Sequence, residues 1–334
     1  VKSAAAFSGQ TKRIVHTAAG YAAQAKRIVT RAIVSLVEKA CVYAGGYATR
    51  KVYQYEPSDL TRIGQSESYG YNIRALTTGR SYLYAAGEDT NTVWKINPLD
   101  MSKMLESPNY GGNIYALCSH GSHIYAAGDT TQKVYKIDPS DMSVVAQSAD
   151  YGDTIYALCS DGQYIYAAGD WPYTVWKLDP SNLATLGESE SYGGVIRTMC
   201  SDRQYLYIAG ATSQKVWKLD PSDMSKVGES DNYGGTIYAL SSDNTYVYAA
   251  GATTRTVWKI DPSSMTKVGE SANYGGSIYA LAADGNGHVY AGGYTTQTVW
   301  KIDSSDMSKV AESESYSERI YALLHANTIT PIPY

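Results

Sequence analysis

From residue 42 to residue 323 the chain alternates short segments rich in Tyr, Val, Ile and Trp with clusters of Gly, Pro, Asp and Ser. Residues 114–146 show one cycle: "IYALCS", "HIYAAG", "KVYKID" and "SVVAQS", with "HGS", "DTTQ" and "DPSD" between them and "ADYGD" after. Apolar segments of this length bounded by turn-forming residues predict four strands. Three motifs then recur with a period of 41 residues. The first closes on Gly46, Gly87, Gly128, Gly169, Gly210, Gly251 and Gly293. The second, "VWK" or "VYK", is centred on Tyr53, Trp94, Tyr135, Trp176, Trp217, Trp258 and Trp300. The third, "YGGxIYAL" and its variants, begins at Tyr69, Tyr110, Tyr151, Tyr192, Tyr233, Tyr274 and Tyr316. Seven four-stranded units of this size predict an all-β fold, a seven-bladed β-propeller, whose radial closure leaves only short, protected strand edges. The alternative, a solenoid, needs capping repeats at its ends.

The two ends of the repeat region are complementary. The first unit lacks an "IYAL" strand, reading "IVSLVEKAC" over 33–41, and the last unit stops just after "IYAL" at 320–323. Ile320–Leu323 is therefore expected as the innermost strand of a blade whose other three strands come from residues 42–66. Both ends of the ring then emerge on one face. The opposite face carries the turns between second and third strands and the "SxxYGG" connections. The one length change, a last interval of 42, falls in the Gly-rich "ADGNGH" at 283–288, a turn on the face with the ends.

The layout "IYAAGxxxxxVWKIDPSDMSKVGES" resembles the repeats of the PQQ-like and YVTN-type propeller families over roughly residues 42–323. The resemblance implies the propeller fold; those families include enzymes, adhesins and scaffolds, so it implies no single function.

Repetition also supplies an internal control: a residue demanded by folding recurs, and one demanded by a unique site does not. Tyrosine illustrates the first case. Of 32 Tyr, set against a single Phe, 25 occupy repeated slots, which predicts rings packed between blades with hydroxyls partnered. Five of the six Trp sit in the "VWK" slot; the sixth is Trp171, in "GDWPYTVWKLDP". Other units write "TTQ", "TSQ" or "TTR" where this one writes Trp171, Pro172 and Tyr173. A stiff aromatic in an exposed turn has the properties of an interface anchor. The alternative is a ring folded back over the blade edge.

Arg74 and Arg197 replace the tyrosines at Tyr115, Tyr156, Tyr238, Tyr279 and Tyr321, early in the innermost strand. At a channel mouth they would bind an anion or carboxylate. The competing expectation is a local ion pair with repeat carboxylates.

Reactive departures do not converge. His120 and His123 lie in "SHGSH", His288 shares the slot of His123, and no unique carboxylate pair joins them, so neither metal, cofactor nor acid–base chemistry is expected. The "DPSD" aspartates read as turn caps. Cys118, Cys159 and Cys200 share a slot whose other occupants are Thr77, Ser241, Ala282 and Leu324; a slot shared with Ser and Ala reads as small core packing, and the thiols as free in a reducing compartment.

Charge divides the chain. Residues 1–40 carry seven Lys or Arg and one acid, Glu38, whereas the remainder holds 21 basic and 31 acidic residues. "TKRIV" at 11–15 and "AKRIV" at 25–29 stand two heptads apart, and Ile14, Ala18, Tyr21, Ala25, Ile28, Ala32 and Ile33 fall on one helical face. Residues 1–40 are thus expected as a basic, Ala-rich helical arm before a propeller at 41–334. The arm's attachment residues would be Lys12, Arg13, Ile14, Lys26, Arg27, Ile28 and Arg31. The "T-x-R-x-V" cadence resembles the N-terminal attachment segments of tailed-phage minor structural proteins, which implies docking in a virion or similar particle.

Little aromatic interleaving argues against nucleic acid, and no apolar run is long enough for a membrane span or a signal-peptide core. The reading that follows is a non-enzymatic structural or recognition protein of an assembled particle, made in the cytoplasm. Its arm would dock on other particle proteins or sister chains, and its outward face on a glycan or protein receptor. A free scaffold or lectin-like binder is the alternative, and a propeller enzyme the third.

Overall fold

The alternation of apolar and turn segments resolves into seven four-stranded antiparallel sheets. The computed structural model describes residues 38–47 and 49–329; the arm residues named above lie outside them. Six blades run consecutively through residues 73–106, 114–147, 155–188, 196–229, 237–270 and 278–312, each from its inner strand outward. The seventh joins Ile320–Ile329, as inner strand, to Glu38–Gly46, Tyr53–Tyr55 and Arg62–Gln65, which is the expected three-plus-one closure. Its second strand begins at Glu38, so the first residues of that strand come from the segment read as arm. No helix occurs among the described residues.

The hydrophobic core is divided into seven wedges, one at each interface between neighbouring blades. The wedge at the closure unites Val42, Ala44 and Tyr55 with Tyr290, Val299 and Ile320, all fully or almost fully buried. Each "YGG" tyrosine lies in such a wedge and packs its ring on the aromatic of the "VWK" slot. Tyr69 and Trp94 have ring centroids 4.9 Å apart, Tyr192 and Trp217 also 4.9 Å, and Tyr53 and Tyr316 4.8 Å. Six of the seven hydroxyls are partnered, each donating to a backbone carbonyl, as Tyr192 does to Lys215 at 2.6 Å and Tyr233 to Thr256 at 2.7 Å. The buried hydroxyls of Tyr110 and, in a second strand, Tyr84 depart from the expectation and have no partner among the described residues. A Tyr ring placed to donate in this way buries a large apolar area while its hydroxyl bonds to the backbone, a bond that Phe could not make.

The turns between third and fourth strands show a less obvious economy. Leu60, Met101, Met142, Leu183, Met224, Met265 and Met307 all take left-handed backbone, with φ between 57° and 65°. For a residue with a Cβ this conformation costs about 1–2 kcal/mol, and glycine would avoid it. These side chains are at most 4% exposed, however, and burial of a Leu or Met contributes roughly 1.5–3 kcal/mol. The turn is further held by its aspartates: the Ser140 N–H donates to Asp138 at 2.8 Å and the Ser143 N–H to Asp141 at 2.9 Å. These bonds hold both carboxyls below their ordinary range.

The faces follow from strand direction. The Tyr151 N–H donates to the Gln132 carbonyl and the Tyr192 N–H to that of Tyr173, so each "YGG" connection is tied to a turn between second and third strands. These features share one face, and the compact unit Ala40–Ala326 begins and ends on the other.

Candidate functional site

On the face away from Ala40 and Ala326, three groups of residues contain departures from the repeat. The first is the turn holding Trp171. In the seven-fold frame its slot otherwise carries Ala48, Asp89, Thr130, Thr212, Thr253 or Thr295. One side of the indole rests beside Gly152, whose absent Cβ would come 3.5 Å from the ring. The rest of the side chain is open: Trp171 is 62% exposed, more than any other large hydrophobic residue described. The ring therefore leans on the neighbouring connection yet presents most of its surface outward. Tyr173 occupies the left-handed position of this turn, φ 65°, as Gln132, Gln214, Arg255 and Gln297 do in theirs.

The second group is the ring of residues that opens the innermost strands. Arg74, Tyr115, Tyr156, Arg197, Tyr238, Tyr279 and Tyr321 enclose a cavity of about 390 Å³ at the channel mouth. The layer below is a collar of leucines in which Met199 replaces one. The tyrosines lean on one another, with ring centroids 5.4 Å apart for Tyr115 and Tyr156 and 4.9 Å for Tyr238 and Tyr279.

The two arginines in this ring have different surroundings. Fourteen residues after each ring residue in the 73–106 and 114–147 blades comes a carboxylate just past the motif glycine. Tyr115 and Asn113 both donate to Asp129, and Arg74 donates through Nε to Glu88 Oε1 at 2.6 Å with a second, ion-paired contact from Nη2. Arg74 is therefore neutralised locally, and its guanidinium also lies over the Tyr321 ring at 3.8 Å. In the blade of Arg197 the matching slot is Ala211. Arg197 lies over the Tyr156 ring at 4.3 Å and makes no ion pair among the described residues.

The third group was not identified from the sequence. Tyr47 and Tyr294, each 40% exposed, occupy the slot just after the motif glycine, where Glu88, Asp129 and Asp170 stand in other blades. Arg319 lies over the Tyr294 ring at 4.4 Å and donates to the Tyr321 hydroxyl at 3.3 Å. The signal was present as a departure from the repeat, and the same slot comparison that isolated Trp171 would have found it.

The four described histidines lie at the other face or in the blades, and His16 lies outside the described residues. His120 Nδ1 is 2.8 Å from the Ser160 hydroxyl and His288 Nδ1 3.1 Å from Asp284 Oδ2. Burial holds the His120 and His325 imidazoles below their ordinary value. Burial also pushes the Cys118 thiol up to about 12, which keeps it protonated at neutral pH. All four cysteines are free thiols. Among the described residues no three His, Cys, Asp or Glu side chains converge in a metal-binding group, and no helix is long and apolar enough to cross a membrane.

No protein-family model matches the chain, and no curated protein does. Among solved structures it is similar to the computationally designed Ika8 protein, with a TM-score of 0.66 and 13% identity over 88% of this chain and 96% of that one. At that identity the likeness concerns the fold, and it agrees with the ring of four-stranded blades built above.

Proposed function

We propose that the protein is a non-enzymatic recognition component of an assembled particle, with a phage tail or virion the best fit. Its propeller face bearing Trp171 meets a glycan or protein receptor, and residues 1–40 dock on other particle proteins. The observation that carries the reading is the 62% exposure of Trp171, beside Pro172 and Tyr173, in one blade of seven. Blades are copied because folding needs each one, whereas a contact needs only one spoke. A rigid indole adds contact area at little cost in conformational entropy, and such anchors dominate interface energetics. The charge contrast between residues 1–40 and the acidic remainder supports a separate docking role for the arm.

The test is binding of the full chain to immobilised glycans and to intact bacterial envelopes, comparing it with Trp171→Ala. Truncation of an interface anchor is expected to weaken binding by at least about 2 kcal/mol, some thirtyfold, with the melting temperature unchanged. Equal binding by the two chains would remove Trp171 from the contact. Retained binding together with an unchanged sedimentation mass for residues 1–334 and 41–334 would favour the free scaffold or lectin-like reading.

A further inference from the structure

We infer that the channel mouth is a carboxylate-binding site for a small organic acid, with Arg197 as the recognising cation and Arg74 held in reserve by Glu88. The inference goes beyond the docking role proposed above, because it concerns a small ligand inside the ring and needs no macromolecular partner.

The argument begins with what the repeat would have put there. Five of the seven ring positions are tyrosine, so tyrosine satisfies the fold at this slot, and arginine is not required by packing. The inner strand Ile196–Ser201 departs from the "IYALCS" pattern at three successive residues, Arg197, Thr198 and Met199. Thr198 has a structural use, since its hydroxyl accepts the Leu240 N–H of the next blade at 2.9 Å. Arg197 has no comparable one. Its guanidinium faces Tyr156 at 4.3 Å, and the carboxylate that neutralises Arg74 has no counterpart at Ala211.

A guanidinium stacked on an aromatic ring is oriented on its face while its N–H edge stays available, which suits paired hydrogen bonds to a planar carboxylate. The cavity beside it, about 390 Å³, takes a ligand the size of one sugar or one aromatic acid. Tyrosine rings and hydroxyls line its wall, and the leucine collar beneath it presents an apolar floor. Charge decides between oxyanions. Within the ring Arg197 is the one cation without an ion pair; Arg319 stands beside the ring as a donor to the Tyr321 hydroxyl, and three carboxylates, Glu88, Asp129 and Asp170, occupy the slot just past the motif glycines. A monoanion is matched by this field, whereas a phosphate dianion would be opposed by it.

The experiment is calorimetric titration of the full chain at low salt with sodium glucuronate, sodium benzoate, glucose and inorganic phosphate. Glucuronate and benzoate separate a sugar acid from an aromatic acid as the source of the carboxylate. At least one of them is expected to bind saturably at one site per chain, with glucose and phosphate at least tenfold weaker. Arg197→Tyr, which restores the repeat and should fold normally, is expected to lose at least tenfold in affinity. Arg197→Lys should recover part of the loss. Glu88→Gln, by freeing Arg74, should tighten binding severalfold. The inference is overturned if neither carboxylate binds, if phosphate binds more tightly than both, or if Arg197→Tyr binds as well as the parent chain. Failure here leaves the Trp171 contact untouched, since that is read on envelopes and glycans with a different variant.

Discussion

Gly128→Ala is expected to abolish the cooperative thermal transition of the propeller, or to lower its midpoint by tens of degrees. The motif glycine is where the second strand passes under the backbone that opens the inner strand. A Cβ at Gly128 would stand 1.7 Å from the Asn113 carbonyl oxygen and 3.0 Å from the Ile114 α-carbon. The obstacles are main-chain atoms, so no rotamer change relieves them, and a shift would break the pairing of Ile114 with Gly128 and the Asp129 N–H bond to Asn113. Destabilisation above about 4 kcal/mol is expected, against a total stability typically of about 5–15 kcal/mol. The same geometry recurs at Gly87, Gly169, Gly210, Gly251 and Gly293, with the nearest carbonyl oxygen between 1.8 and 2.1 Å. A control isolates the cause. Gly121 has positive φ but nothing within 4 Å of its missing Cβ, so Gly121→Ala should cost only about 1–2 kcal/mol of backbone strain. Circular dichroism melting of the two variants checks both statements.

Ending the chain at Arg319 should have an effect of the same order through a different mechanism. The closing blade then loses its inner strand, and with it Ile320, fully buried, and Leu323, 9% exposed. Each such side chain contributes roughly 1.5–3 kcal/mol by burial, before counting the strand pairing along Glu38–Gly46 that is left open. The closure wedge, which unites Val42, Tyr55, Tyr290 and Ile320, would be exposed to water. The truncated chain is expected to bind a hydrophobic dye and to melt without a cooperative transition. A sharp transition near that of the parent chain would mean that six blades and a three-stranded remnant suffice.

These two cases explain why so much of the fold was legible in the sequence. The motif glycines, the "YGG" tyrosines and the "VWK" aromatics each answer a steric or packing demand that arises at every blade, so repetition marks them. The closure was legible because the strand missing near residue 33 reappears at Ile320. Other features were hidden. Nothing in a linear motif says that Arg74 meets Glu88 while Arg197 meets none, because the pairing is between an inner strand and the end of the next strand, fourteen residues on. The left-handed Met and Leu turns were equally silent, since their side chains look like ordinary apolar residues until burial is known. Tyr47 and Tyr294 were visible as departures but lay one slot away from the comparison that exposed Trp171, and Arg319 lay in another slot, just before the inner strand.

The central claim is that the repeats carry the fold and the departures carry recognition. It is tested most directly by one chain in which Trp171, Pro172 and Tyr173 become Thr, Thr and Gln, and Arg74 and Arg197 become Tyr. The measurement pairs its melting temperature with its titration by glucuronate and benzoate. The account predicts a midpoint within about 2 °C of the parent, since less than about 1 kcal/mol should change, together with loss of carboxylate binding. A large fall in the midpoint, or carboxylate binding that survives the repair, would show instead that these residues serve the fold.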